Sequence, residues 1–200
     1  MADSEIQFNQ LNAPTDQHLW ESLIHGDESA YSFIYEHFID DLYGYGKNIC
    51  THRTLVEDAI QDVFTDLWKY KSNLAPVRSI KAYLLISLRR KILRLLQKEK
   101  LFIVHNDKLP EDNFHWENSI QDILIQEQDL KIKIKRIEKA MGQLTRRQKE
   151  IIYLRYFQDL SHQEIAEMMG LNQRSTYNLV SKAINLLKDK LIILIILVIS

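Results

Sequence analysis

The stretch Leu160-Ser161-His162-Gln163-Glu164-Ile165-Ala166-Glu167-Met168-Met169-Gly170-Leu171-Asn172-Gln173-Arg174-Ser175-Thr176 decides how the second half of the chain is read. Ser161 and Glu164 stand in the Ser-x-x-Glu spacing of a capping box, which starts a helix by satisfying two of its orphan N–H groups. Ile165, Ala166 and Met169 then share one face, and the small Ala166 lets a second helix approach closely. Gly170 follows where a sharp turn requires positive φ, and Asn172 is suited to cap the next helix. Two short helices joined by one tight turn make a helix-turn-helix whose second helix is free to enter a DNA major groove.

The second helix has the composition for that task. Thr176, Leu179, Val180, Ala183 and Leu187 fall on its inward side. Arg174, Tyr177, Asn178 and Ser181 fall together on the opposite side, with Lys182 beside them. Arg pairs bidentately with guanine and Asn with adenine, while Lys and Ser suit phosphates. Gln173, Arg174, Ser175, Tyr177, Asn178, Ser181 and Lys182 are therefore the candidate DNA-contacting set. An ordinary αα-hairpin with a polar outer face is the competing reading.

Upstream, the apolar periodicity predicts four more helices. The first starts at Asp16 and carries Leu19, Trp20, Leu23 and Ile24 before Gly26-Asp27 breaks it. The second carries Phe33, Ile34, Phe38, Leu42 and Tyr45 and ends near Cys50. The third, about Thr54 to Lys71, has Val56, Ala59, Ile60, Val63 and Leu67 on one face and Asp58, Gln61, Asp62 and Thr65 on another. Residues 71–79, with Pro76, read as a loop. The fourth helix runs from Ile80 to about Lys98, with Leu84, Leu88 and Leu95 as its buried stripe. Its basic side groups Lys81, Arg89, Arg90, Lys91, Arg94 and Lys98, and Tyr83 beside them, with Tyr70 nearby, offers a ring for stacking on an unpaired base. Periodicity fades from Glu99 to Asn118, and the cluster Pro110-Glu111-Asp112-Asn113 marks an acidic linker. Helicity resumes near Ile120 and continues to about Met141; short helical patterns follow over 146–157, 162–169 and 173–190.

Composition agrees with an all-α fold. Among 200 residues there are 5 Gly and 3 Pro, too few for many tight turns, and Leu and Ile far outnumber Val. The formal net charge of -1 hides alternating blocks. Acids dominate from Asp27 to Asp66 and from Glu99 to Leu130; bases dominate from Arg78 to Lys100 and from Lys131 to Tyr156. Such blocks suit different partners for different faces. The single cysteine, Cys50, excludes an internal disulfide and fits a reducing cytoplasm. The first residues, with two acids and no apolar run, do not read as a signal peptide. The seven His lack metal-ligand spacing and no Gly-rich phosphate loop is present, so no catalytic, metal or cofactor site is expected.

The chain resembles the bacterial RNA polymerase sigma factors of the extracytoplasmic-function type, in the sigma-70 family. The likeness rests on Gly26-Asp27-Glu28-Ser29-Ala30-Tyr31, on Glu57-Asp58-Ala59-Ile60-Gln61-Asp62-Val63-Phe64 with Trp68, on Lys81-Ala82-Tyr83-Leu84, and on the helix-turn-helix from Ser161 to Lys182. It implies two small helical domains, region 2-like over 16–98 and region 4-like over 131–190. A loose N-terminus (1–15), a flexible linker (99–130) and an apolar tail (191–200) complete the division. The same resemblance implies that Asp58, Gln61, Asp62 and Thr65 bind polymerase at the coiled coil of its β′ subunit. It further implies that Arg78, Lys81, Tyr83, Arg89, Arg90, Lys91, Arg94 and Lys98 serve the minus-ten element, and that the recognition helix reads the minus-thirty-five element. Core polymerase (β′ and β), promoter DNA and a membrane-bound anti-sigma factor are the implied partners, with no small-molecule substrate. Arg90 and Arg94 stand where the family often has Asn and an acid, so no base-specific role is carried to that helix. Thr176 stands where an aliphatic residue is usual. A two-domain helix-turn-helix regulator acting without polymerase is the alternative.

The tail, Leu191 to Ile199, is nine apolar residues in a row. A bilayer span takes about 20. The tail is expected to continue the last helix, fold back on the second domain, or dock on a partner, and a chain ending at Lys190 is expected to keep its helicity.

Overall fold

The structure, a computed structural model, describes residues 15–103 and 140–199, with side chains over 15–97 and 140–188. Among the described residues every regular element is a helix. The first unit holds α1 (Asp16–Ile24), α2 (Glu28–Ile49), α3 (Arg53–Lys69), a 3-10 turn (Lys71–Asn73) and α4 (Ile80–Ile103). The second holds α5 (Arg146–Tyr156), α6 (His162–Met169) and α7 (Gln173–Ile199). The expected N-terminus, most of the linker and the helix near Ile120 lie outside the described residues.

Caps set most of the boundaries. The Thr15 hydroxyl accepts from the His18 N–H at 3.3 Å, and Asp27 Oδ1 accepts from Ser29 N at 2.8 Å, starting α1 and α2. Thr145 and Gln148 make a reciprocal capping box at α5. The start of α4 is held from a distance: Asp16 Oδ2 accepts the Ile80 N–H at 2.8 Å, across 64 residues of sequence. Two helices outrun their expected ends. α4 passes Lys98 to reach Ile103, because Glu99-Lys100-Leu101-Phe102-Ile103 contains no breaker. α7 passes Lys190 to reach Ile199, so the backbone of the apolar tail continues the last helix. α3 ends two residues before Lys71, and the segment 71–79 opens with the 3-10 turn rather than loop throughout.

In the first unit α2, α3 and α4 pack on one another, with α1 closing one side. Tyr45, Phe64, Ile34, Leu67, Leu84, Leu88 and Ile92 are fully enclosed. Leu95, placed by its spacing on the buried stripe, is only half-buried. Gly46 permits the close crossing of α2 and α3: a Cβ there would lie 2.5 Å from Val56 Cγ1. Trp20 ties α1 to the segment before α4, donating from Nε1 to Ala75 O at 2.9 Å and meeting Tyr83 edge-on at 4.9 Å. In the second unit α5 and α6 pack on α7, and α6 also lies against α4 of the first.

Candidate nucleic-acid and partner interfaces

The helix-turn-helix is built as its local chemistry dictates. Glu164 N donates to Ser161 Oγ at 3.2 Å and Ser161 N donates to Glu164 Oε2 at 2.7 Å. Gly170 takes φ 63° and ψ 38°, and Leu171 N reaches back to Ala166 O at 2.8 Å. Ser175 N donates to Asn172 Oδ1 at 2.7 Å, which caps α7. Ile165, Ala166, Met168, Met169, Val180 and Ala183 are buried between the helices. Thr176 is buried too, and its hydroxyl donates to Asn172 O at 3.1 Å. That bond explains how a polar residue occupies an aliphatic position without an orphaned hydroxyl.

This packing turns one face of α7 outward. Gln173, Arg174, Tyr177, Asn178 and Lys182 are exposed, with Tyr177 62% exposed, while Ser175 and Ser181 are half-buried. The ring of His162, at the start of α6, lies 5.5 Å from that of Tyr177. Arg147 on α5 donates to Met169 O at 3.4 Å, placing a cation at the carbonyl end of α6. Neither His162 nor Arg147 has a sequence signal that ties it to the recognition helix, because both contacts cross between elements.

The acidic face of α3 is open. Asp58, Gln61, Asp62 and Thr65 are all exposed, while Val56, Ala59, Ile60, Val63 and Leu67 are buried behind them. Glu57 is held by Arg53 at 2.8 Å one turn away. Trp68 packs half-buried against Tyr31 with ring centroids 5.0 Å apart, and Lys71 Nζ lies 3.8 Å above the indole.

The basic side of α4 divides in a way that spacing does not reveal. Arg78, Arg90 and Arg94 are exposed. Lys81 instead pairs with Asp41 at 2.9 Å. Lys91 bridges Asp66 at 2.9 Å and Asp62 at 3.2 Å, and the Asp66 hydrogen bond raises its pKa above the usual lysine value. Arg89 turns away to Glu150 of α5, with Nε 2.9 Å from Oε1. The Lys98 side chain lies outside the described residues. Arg90, Lys91 and Arg94 line a hollow of about 220 Å³ with Asp66, Tyr70 and Tyr83. Tyr70 is exposed; Tyr83 is half-buried, and burial pushes its phenol pKa up. Tyrosine rings beside guanidinium groups are chemically suited to a stacked base and its phosphates.

A helical chain with a helix-turn-helix at one end and an aromatic-basic hollow at the other belongs to the class of DNA-binding transcription proteins. The comparisons with known proteins narrow that class. Residues 34–102 match the family model described as Sigma-70 region 2, and residues 134–187 match that of Sigma-70, region 4, together more than half the chain. The ECF RNA polymerase sigma factor RpoE of Cereibacter sphaeroides is 22% identical over 148 residues, covering 74% of this chain and 78% of that protein. Among solved structures, CnrH in complex with the cytosolic domain of CnrY superposes with TM-score 0.56 at 18% identity, covering 88% of this chain and 96% of that one. The sigma factor RpoE in complex with the anti-sigma factor NepR from Bartonella quintana gives 0.55 at 20%, covering 80% and 96%. The two structures share the fold. The chain belongs to the sigma-70 family of RNA polymerase sigma factors, in its extracytoplasmic-function group. It is a transcription initiation factor, which binds core RNA polymerase and directs it to promoters. No helix among the described residues is long and apolar enough to cross a membrane.

Proposed function

We propose that the two units divide promoter recognition between them. The exposed face of α3, with Asp58, Gln61, Asp62 and Thr65, docks on the β′ coiled coil of core polymerase. The segment 71–79 and α4 hold the minus-ten element, with Arg78, Arg90 and Arg94 on phosphates and Tyr70 and Tyr83 walling a site for an unpaired base. The outward face of α7 reads the minus-thirty-five element through Arg174 and Asn178, with Lys182 and Ser181 on the backbone. The observation that carries this reading is the sorting of α7. Thr176, Val180 and Ala183 are sealed inside the helix-turn-helix while Arg174, Tyr177, Asn178 and Lys182 face out. The protein works in the cytoplasm and contributes no catalysis of its own, leaving nucleotide chemistry to the polymerase. Both structural neighbours were solved with a partner, one named as an anti-sigma factor and the other as a cytosolic domain. We infer regulation of this chain by a protein of that kind.

The test is transcription in vitro with purified core polymerase and fragmented genomic DNA. Start sites preceded by one recurring pair of elements, absent with core alone, are the expected result. Transcripts without a shared upstream element overturn the reading.

A further inference from the structure

The apolar end of α7 is a feature of the chain that promoter recognition does not use. Residues 191–199 are all Leu, Ile or Val, without a polar break, and their backbone continues α7 to Ile199. The packing of α7 thins toward this end. Ala183 is the last enclosed residue among the described side chains. Ile184 and Leu187 are half-buried against the core, and Asn185, Leu186 and Lys188 are exposed. An apolar residue, Leu186, thus already meets water before the run begins.

Two properties of the run decide what can cover it. First, it has no polar side. Successive helical residues turn by about 100°, so nine of them circle the axis about two and a half times. Every side of this part of α7 therefore carries apolar positions. A helix seated in one protein groove, or paired with a second copy, covers one stripe and leaves the rest against water. A helix lying flat on a membrane needs a polar face, which this run lacks. A surround of hydrocarbon satisfies all sides together. Second, Ile and Val are indifferent helix formers in water. Inside hydrocarbon every backbone N–H and C=O must be paired within the segment, and a continuous helix does this. Lys188 and Lys190 precede the run, where long ammonium side chains keep to the headgroups. Asp189 between them offsets one charge, so anionic lipid adds little.

We propose that residues 191–199 insert into a lipid bilayer as a one-leaflet anchor. Nine helical residues are about 14 Å long, against about 30 Å for the hydrocarbon core, so the run enters one leaflet without spanning. An anchor this short binds reversibly and leaves the chain free to join polymerase. Lys182 lies about 14 Å up the same helix from Leu191, so anchoring and promoter reading occupy opposite ends of α7. The anchor does not rest on the promoter assignments.

The test floats the full chain with vesicles of phosphatidylcholine alone, and of phosphatidylethanolamine with phosphatidylglycerol. The wild-type chain floats with both. Ile193→Gln with Ile196→Gln adds no charge and keeps a good helix former, and it weakens partition about tenfold or more. Leu194→Glu does the same by a second route. Ile193→Leu with Ile196→Leu leaves partition unchanged, because hydrocarbon reads apolarity rather than side-chain shape. Circular dichroism shows all the variants as helical as the wild type. In Leu194→Trp, the added fluorescence is quenched by lipids brominated in their acyl chains. A wild-type chain that stays in the aqueous fraction overturns the anchor, as do Gln and Glu variants that float equally well. Gln and Glu variants that both lose helicity give the run to the core of the second unit and overturn it. Flotation without acyl-chain quenching, with oligomers that the Gln variant loses, gives the run to a second copy instead. Loss of flotation in the Leu variant gives it to a shaped protein groove. Transcription with core polymerase and no vesicles separates this from promoter recognition. The Gln variant transcribes as the wild type does, and a loss there gives the run to polymerase and overturns the anchor. A wild-type chain that floats but directs no promoter-specific transcription refutes the promoter reading and leaves the anchor standing.

Discussion

Reversing two charges on α3, Asp58→Lys with Asp62→Lys, should detach the protein from polymerase while leaving it folded. The cost to the fold is small. Asp62 loses one contact, to Lys91 at 3.2 Å, between side chains 56% and 20% exposed. Pairs of this kind contribute about 0.2–1 kcal/mol, and Lys91 keeps Asp66 at 2.9 Å. Asp58 is exposed, so its replacement buries nothing. Total destabilisation should stay near 1 kcal/mol, which is roughly 2–4 °C in Tm for a chain of this length. The cost to binding is larger. If the acids meet basic groups in a desolvated interface, truncating a partner costs about 2–5 kcal/mol, and reversal adds like-charge repulsion. A loss of about 2 kcal/mol or more weakens Kd by roughly thirtyfold. Competition with labelled wild-type protein for core polymerase reads this directly, alongside a thermal melt of the variant. Unchanged affinity refutes the assignment of α3, and a collapsed melt shows that the acids serve the fold instead.

Three further outcomes follow from the same geometry. Arg174→Ala should lose discrimination at one base of the upstream element, about 1–3 kcal/mol at that position, whereas Lys182→Ala should weaken binding evenly across sequences and lower the salt slope by about one; a panel of mutated promoters measured at several salt concentrations distinguishes them, and wild-type selectivity in both would mean α7 is not the reader. Gly46→Ala should destabilise by about 1–2 kcal/mol: the new Cβ meets the buried Val56 side chain at 2.5 Å, and overpacking of about 1–3 kcal/mol outweighs the better helix preference of alanine. Urea midpoints at constant slope check this, and Gly46→Ala combined with Val56→Ala should recover part of the loss. Alkaline pH should destabilise the protein, because burial raises the phenol pKa of Tyr45, Tyr83 and Tyr153 in the folded chain. A raised folded-state value means the contribution is fully present below the unfolded pKa of about 10 and is lost as pH rises through the folded values. Melts followed with tyrosinate absorbance should fall above about pH 10, less steeply in Tyr45→Phe, and a flat profile there contradicts the burial argument.

How far the sequence reaches depends on the range of the interaction. The helix-turn-helix is complete within about twenty residues: Ser161 and Glu164 cap α6, Gly170 supplies the left-handed turn, Asn172 caps α7, and each partner is at most five positions away. Such features are legible because chain connectivity already places the partners together. The same holds for the acidic face of α3, where a 3.6-residue period alone sorts Asp58, Gln61, Asp62 and Thr65 from the buried positions between them. The ends of α4 and α7 were less legible, since a stretch with no breaker carries no signal of where to stop. The basic side of α4 was the least so. Spacing puts Lys81, Arg89, Arg90, Lys91 and Arg94 on one solvated helix, but tertiary packing brings Asp41, Asp62 and Asp66 to two of them and Glu150 to a third. Glu150 stands in the base-rich stretch from Lys131 to Tyr156, and no motif in the sequence singles it out. It lies buried where the two units meet, and Tyr45 and Arg89 of the first unit, 105 and 61 residues away, are the groups that compensate its charge. Desolvation is a property of what lies around a side chain in space, and no local pattern encodes it.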